Sequence, residues 1–128
     1  MIKRLVLILC CLMLLSGCAA PKTAVEYKKI TPEEAKEMMD SGDKVIILDV
    51  RTKEEFDQGH IKGAVLLPNT DIAQKAAETL PDKNALILVY CRSGNRSKSA
   101  SEELLSMGYT KVYDFGGIID WPYETVME

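Results

Sequence analysis

Seven consecutive residues, Cys91-Arg92-Ser93-Gly94-Asn95-Arg96-Ser97, bring together a nucleophile, two guanidinium groups and a glycine. The apolar run Ala85 to Tyr90 precedes them, and a helical pattern begins near Ser97. A thiol at that junction faces the partial positive charge and free N–H groups of a helix N-terminus. Arg92 and Arg96 add two full charges, so both influences favour thiolate over thiol. Gly94 permits a tight inward curl in which neighbouring N–H groups form an anion nest. Ser93, Asn95 and Ser97 are small and polar, which suits a loop closing on an oxyanion. The expected chemistry is attack by Cys91 on a sulfur or phosphorus centre that carries anionic oxygens. The bland alternative is an inert structural cysteine. Two adjacent arginines, costly to bury unpaired, argue against it.

Such a loop needs elements to hold it. Tyr27 to Ile30 reads as a first short strand. Thr31-Pro32-Glu33-Glu34 is a helix start, with Thr31 as N-cap, Pro32 in the first turn and Glu34 closing a capping box. That helix runs to about Asp40, before Ser41-Gly42-Asp43. Val45-Ile46-Ile47-Leu48 and Ala85 to Tyr90 are apolar without alternation, as strands buried on both faces are. Thr52 to Gln58 and Ile72 to Leu80 have helical character, and Ala64 to Leu67 reads as another short buried strand. Ser97 to Met107 is a helix with Ala100, Leu104 and Met107 inward and Gly108 as its stop. Lys111 to Phe115 is a last strand, after which Gly116-Gly117 turns into a short helix. Strands alternating with helices imply an α/β fold with a mainly parallel sheet covered on both faces. Ligands of such sheets bind beyond the carboxyl ends of the strands. Asp49-Val50-Arg51 falls there after one central strand, and Cys91 after the other.

Other polar residues have simpler readings. His60, the single histidine, is expected to make a structural hydrogen bond. Asp49 and Arg51 are expected to form a buried ion pair or loop brace, since buried charges need partners. Glu55 is a possible partner for Arg51, and Trp121 is a core or rim aromatic. Lys98 is a surface charge that could add positive field to the loop, and Lys111 an ordinary one.

The N-terminus follows a different grammar. Lys3 and Arg4 precede an almost unbroken apolar run, Leu5 to Leu15, shorter than the roughly 20 residues that span a bilayer. Ser16-Gly17-Cys18-Ala19-Ala20 then supplies small residues, as in a signal peptide. Leu15-Ser16-Gly17-Cys18 closely resembles the bacterial lipoprotein box, which implies lipid on Cys18 and cleavage just before it. The expected division is a removed signal at 1–17, a lipidated tether at 18–26 and one folded domain at 27–128. Cleavage takes Lys3 and Arg4 away and moves the formal net charge from −3 to −5. It also removes Cys10 and Cys11, and with Cys18 occupied by lipid Cys91 is the one free thiol left, so no internal disulfide forms. An unpaired thiol in an exported protein marks a reactive cysteine. The acidic mature domain argues against nucleic acid as a partner, because phosphate binding relies on Lys and Arg. It argues equally against electrostatic attachment to anionic lipid, so the covalent lipid would anchor the protein. The expected location is the cell envelope or periplasm, membrane-anchored.

The segment Cys91 to Ser97 resembles the active-site loop of single-domain rhodaneses. Leu48-Asp49-Val50-Arg51, Glu54-Glu55-Phe56 and Gly59-His60-Ile61-Lys62-Gly63-Ala64 are similar to the signature near the start of that domain. Gly116-Gly117-Ile118-Ile119-Asp120-Trp121 is similar to its closing segment. Together they span about Ile30 to Trp121. The resemblance implies a central five-stranded parallel sheet with helices on both faces and a ping-pong sulfur transfer. Cys91 would take the outer sulfur of thiosulfate or a similar donor, release sulfite, and pass the sulfur from a persulfide to cyanide or a thiol. Arg92 and Arg96 would hold the sulfonate, and the loop N–H groups the persulfide. Neither metal nor organic cofactor is implied, and a monomer is expected.

Two other functions compete with this one. Phosphatases and arsenate reductases of the related fold use a cysteine-and-arginine loop, with a longer gap than the four residues between Cys91 and Arg96. The tighter loop suits sulfur better than a tetrahedral phosphate, and no general acid is evident. The other is a lipid-anchored binding or redox-sensing module, in which oxidation or persulfidation of Cys91 is the signal.

Overall fold

The computed structural model describes residues 25–128. The signal segment 1–17, the Cys18 lipid site and the tether up to residue 24 lie outside the described residues. Five strands make one wholly parallel sheet: β1 (Lys28–Lys29), β2 (Val45–Asp49), β3 (Val65–Leu66), β4 (Leu86–Cys91) and β5 (Lys111–Gly117). Their order across the sheet is β1-β5-β4-β2-β3. Between them lie α1 (Pro32–Asp40), α2 (Lys53–Asp57), α3 (Ile72–Thr79) and α4 (Asn95–Ser106), with 3-10 turns at Asn69–Asp71 and Ile118–Asp120.

Strand β4 shows why the sheet is covered on both sides. Successive side chains of a strand point to opposite faces. Ile87, Val89 and Cys91 join one apolar cluster, with Ile72, Ala76 and Leu80 around α3 and Ala100 and Leu104 of α4. Leu88 and Tyr90 join the other, with Ala35 of α1, Phe115 and Trp121. Both sets are buried, so a strand with no polar alternation is what the geometry requires. Leu104 and Ala100 are inward as expected. Met107 ends α4 as its C-cap and packs against the same cluster from the side.

Helix starts are also legible. Thr31 caps α1 and Thr52 caps α2, each in a full capping box with Glu34 and Glu55 respectively. Buried Tyr109 ties the end of α3 to the entry of β5 by donating to the carbonyls of Leu80 (2.6 Å) and Ala76 (3.0 Å).

Several boundaries differ from expectation, among them the end of β5, which includes Gly116 and Gly117 instead of stopping at Phe115. The segment Ala64–Leu67 is not a buried strand: β3 is a two-residue edge strand with Val65 39% exposed, because it pairs on one side only. Cys91 is the last residue of β4 rather than the first beyond it. Helix α4 starts at Asn95, not near Ser97. Its N-cap is Gly94 at φ 107°, a left-handed conformation that glycine adopts without strain and that lets the chain enter the helix at once.

Parallel pairing sets Asp49 opposite Tyr90. From β2 the chain crosses outward to β3, and from β4 it crosses the other way to β5. Connections therefore diverge at the carboxyl ends of these two central strands, where ligand sites of open α/β sheets form. Asp49 ends β2 and Cys91 ends β4.

Candidate active site

Cys91 is buried, 1% exposed, under the first turn of α4. The chain reverses sharply after it. Three residues on, the Gly94 N–H donates to Cys91 Sγ at 3.0 Å. The thiol donates to Ser97 Oγ at 3.4 Å, and the buried Ser97 hydroxyl also faces the carbonyls of Gly94 (3.1 Å) and Gly116 (3.4 Å). Ser93 and Asn95 are exposed, and among the described residues their side chains make no hydrogen bond to the sulfur. Their share of the curl is backbone.

The glycine pair Gly116-Gly117 of β5 presses on the loop. A Cβ placed on Gly117 would lie 2.1 Å from the Arg92 carbonyl oxygen and 2.6 Å from Ser93 Cα. Only a residue without a side chain lets β5 come so close to the loop. Buried Asp114 shapes this turn: its Oδ1 accepts from Gly116 N–H at 2.8 Å, and its Oδ2 accepts from the Tyr27 hydroxyl. The Ile119 N–H then donates to the Arg92 carbonyl at 3.2 Å and ties the next turn to the loop.

On the β2 side lies a buried polar bracket. Arg51 Nε donates to both oxygens of Asp49 (3.0 and 3.1 Å), and Nη2 donates to Oδ2 (2.8 Å) and to the Gly59 carbonyl (2.7 Å). The Tyr90 hydroxyl donates to Asp49 Oδ2 at 2.7 Å and accepts from Ile61 N–H at 3.1 Å. Burial pulls the Arg51 guanidinium toward neutrality, but its hydrogen bonds to Asp49 outweigh this and hold it above its ordinary range. Burial, then Asp49, pushes the Tyr90 phenol up, so it stays a donor. The expected ion pair is present, and its function in the geometry is bracing: it fixes the end of β2 to the 59–61 loop.

The arginines do not share one task. Arg96, in the first turn of α4, grips Glu55 through Nη1–Oε1 (2.7 Å) and Nη2–Oε2 (2.9 Å). This corrects two expectations. Glu55 is the partner of Arg96, not of Arg51, and Arg96 is taken up by a carboxylate rather than open to an incoming sulfonate. The pair joins the first turn of α4 to α2. Hydrogen bonds from Arg96 hold the Glu55 carboxyl down to about 2, against the opposing pull of burial. Arg92 is exposed and makes no ion pair among the described residues. Of the loop's two cations it is the one left for a ligand. Lys98 adds little field, because Glu102 neutralises it one turn along and it sits over the Tyr27 ring.

His60 is structural, as expected. Its Nδ1 donates to the Phe56 carbonyl at 2.9 Å, its ring stacks on Phe56 at 3.7 Å, and its backbone exchanges two 2.8 Å hydrogen bonds with Val126. That bridge brings the C-terminal segment beside Gly59 and His60. Trp121 packs on Phe115 and borders an open hollow of about 510 Å³ beside the loop, with Arg51, Glu55, Gly59, Arg92, Ile119 and Tyr123 around it. Sequence reading missed Tyr90 and Asp114 as site supports. Both have ordinary core-strand contexts, and only cross-strand register reveals what their polar atoms reach.

The Glu55–Arg96 pair has a defined pH signature. A carboxyl lowered on folding stabilises the protein fully above its unfolded value, and the contribution is lost as pH falls toward the folded value. Glu55→Gln is therefore expected to reduce resistance to urea at neutral pH. The gap to wild type should close between about pH 5 and about pH 2. A gap that stays constant over that range would show that the charge on Glu55 contributes nothing to folding.

Comparison with known proteins gives a consistent result. Residues 31–122 match the model of the rhodanese-like domain. The thiosulfate sulfurtransferase PspE of Escherichia coli is 41% identical over 73 residues, covering 57% of this chain and 70% of that protein. The thiosulfate sulfurtransferase GlpE of Pseudomonas syringae is 37% identical over 106 residues, covering 79% and 96%. Among solved structures, a rhodanese with anions from E. coli superposes with a TM-score of 0.62 at 36% identity, covering 66% of this chain and all of the other. A rhodanese-related protein from Thermoplasma volcanium superposes with a TM-score of 0.69 at 28% identity, covering 80% of this chain and all of the other.

Proposed function

The chain belongs to the rhodanese-like family, whose matched relatives include sulfurtransferases, and from that premise we propose that it moves a sulfane sulfur from thiosulfate or a similar donor to cyanide or a thiol through a persulfide on Cys91. The observation that carries the proposal is the curl of the loop around Cys91 Sγ, with the Gly94 N–H directed at the sulfur.

The thiolate attacks the outer sulfur of the donor. The new bond joins Cys91 Sγ to that sulfur, the donor's S–S bond breaks, and its electron pair leaves with sulfite. Arg92 holds the sulfonate oxygens as the negative charge moves onto them. The Gly94 N–H, at the N-cap of α4, points at the Cys91 sulfur and would help to hold the persulfide. Ser97 has one proton to give: it serves a carbonyl while the thiol is protonated, and it can turn to the sulfur once that is ionised. An acceptor nucleophile then removes the outer sulfur and restores the Cys91 thiolate. Asp49, Arg51 and Tyr90 hold the floor in place and carry no proton in either step. The two half-reactions need no metal or organic cofactor.

We further propose that the mature protein is a lipoprotein of the cell envelope, anchored through Cys18 at the Leu15-Ser16-Gly17-Cys18 box. Cells expressing the full chain are expected to incorporate labelled palmitate into it, and Cys18→Ser is expected to abolish the label. Equal labelling of the two would refute the anchor.

The sulfur-transfer reading is tested on the chain starting after Cys18. Incubation with thiosulfate is expected to add one sulfur to the intact mass, with cyanide discharging it and Cys91→Ser never gaining it. Equal thiocyanate production by Cys91→Ser would overturn the assignment. Steady hydrolysis of an aryl phosphate without sulfur transfer would place the activity with the phosphatases of the related fold.

A further inference from the structure

The capping boxes of α1 and α2 share a sequence logic but not an outcome. In α1 the Glu34 carboxylate serves the cap alone: it accepts from Thr31 N–H at 2.8 Å and makes no ion pair among the described residues. In α2 the equivalent residue, Glu55, gives its short contacts to Arg96, at 2.7 and 2.9 Å. It keeps longer ones to the cap, 3.3 Å from Thr52 N–H and 3.2 Å from the Thr52 hydroxyl. Capping a helix therefore does not account for the Glu55–Arg96 pair. Its side chains are 26% and 31% exposed, so water screens the pair only in part. Arg96 directly precedes Ser97, whose hydroxyl accepts from the Cys91 thiol at 3.4 Å. Hydrogen bonds to Glu55 chiefly hold the Arg96 guanidinium above its ordinary range against burial, and charge on Cys91 adds to this. Guanidinium and sulfur are thus within electrical reach of each other. Glu55 in turn borders the same open hollow as Arg92.

From this arrangement we propose that Glu55 is a specificity-determining residue for the sulfur donor: by gripping Arg96 it cancels the second positive charge of the loop and narrows the advantage of a dianionic donor over a monoanionic one. The proposal rests on Cys91 being the sulfur carrier, and it concerns how the donor that loads it is selected. Charge at the mouth decides that selection. Arg51 is neutralised by Asp49 and Arg96 by Glu55, which leaves Arg92. Thiosulfate, a dianion, and methanethiosulfonate, a monoanion, deliver their outer sulfur by the same step. A bond forms between Cys91 Sγ and that sulfur, the donor's S–S bond breaks, and its electron pair leaves with sulfite or methanesulfinate. The two donors differ by one unit of charge. A charge added to or taken from the mouth therefore changes their ratio, whereas a loosened loop slows both alike. Glu55 acts through Arg96 and not on the donor itself, so it is a positioning residue.

The test measures kcat/KM for thiosulfate and for methanethiosulfonate at low salt, with cyanide as the common acceptor and thiocyanate as the product. In a ping-pong reaction that quantity reports the donor half-reaction alone. Glu55→Gln keeps an oxygen for the Thr52 cap and removes the charge. It is expected to raise the thiosulfate-to-methanethiosulfonate ratio about tenfold, the scale of one partly screened unit charge at short range. Arg96→Met leaves Glu55 uncompensated and is expected to lower the ratio by a similar factor. The double variant removes the pair as a neutral unit, and its ratio is expected within about twofold of wild type. Glu54→Gln removes an exposed charge of the same helix that has no ion pair among the described residues, and its ratio is expected to stay within about twofold as well. An unchanged ratio in either single variant of the pair would overturn the proposal, and Arg96→Met keeps the test decisive if Glu55→Gln does not fold. A Glu54→Gln shift as large as that of Glu55→Gln would also overturn it. So would a double variant that keeps the Arg96→Met value, because Arg96 would then already be holding the donor. Failure of wild type to form thiocyanate from either donor would instead count against the sulfur-carrier reading on which the proposal rests.

Discussion

The hydrogen bond from the Gly94 N–H to Cys91 Sγ is the contact on which the rest of the site depends. It requires the backbone to reverse within three residues of a strand end, and Gly94 achieves this in the left-handed conformation. The same residue caps α4, so the reversal and the helix start are one event. The reversal also needs room. Gly117 supplies it on the β5 side, where any side chain would strike the Arg92 carbonyl, and Asp114 holds the turn in shape through the Gly116 N–H. A sulfur buried to 1% exposure thus meets a fixed backbone donor, the Gly94 N–H, that need not reorganise to receive charge on it.

Charge pairing divides the labour among the arginines. Arg51 is spent on Asp49 and the Gly59 carbonyl, and it makes the β2 end rigid. Arg96 locks α4 to α2 through Glu55. A half-buried bidentate pair of this kind fixes geometry, and it leaves the field at the mouth to Arg92. Two of three guanidinium groups are structural, although composition alone presents them as equals.

Much of this was legible in the sequence. Capping boxes at Thr31 and Thr52, the unalternating strands and the placement of Cys91 at a strand-to-helix junction follow from local chemistry, and the structure shows each of them. The buried Asp49–Arg51 pair was legible too, because charges flanking a buried strand need partners. What escaped reading was cross-strand or cross-helix in origin. Glu55 meets Arg96 across 41 positions, Tyr90 meets Asp49 across 41, and Tyr27 meets Asp114 across 87. No local pattern encodes such separations. The start of α4 was misplaced by two residues because Gly94, a residue that usually ends helices, here begins one.

In the proposed reaction Cys91 itself becomes the sulfur carrier before any acceptor arrives. Rapid mixing of the protein with thiosulfate, without cyanide or thiol, measures this directly through the sulfite released. A burst of about one sulfite per Cys91 followed by a halt is expected, as for an enzyme with a covalent intermediate. Sulfite that appears only when an acceptor is also present would contradict it.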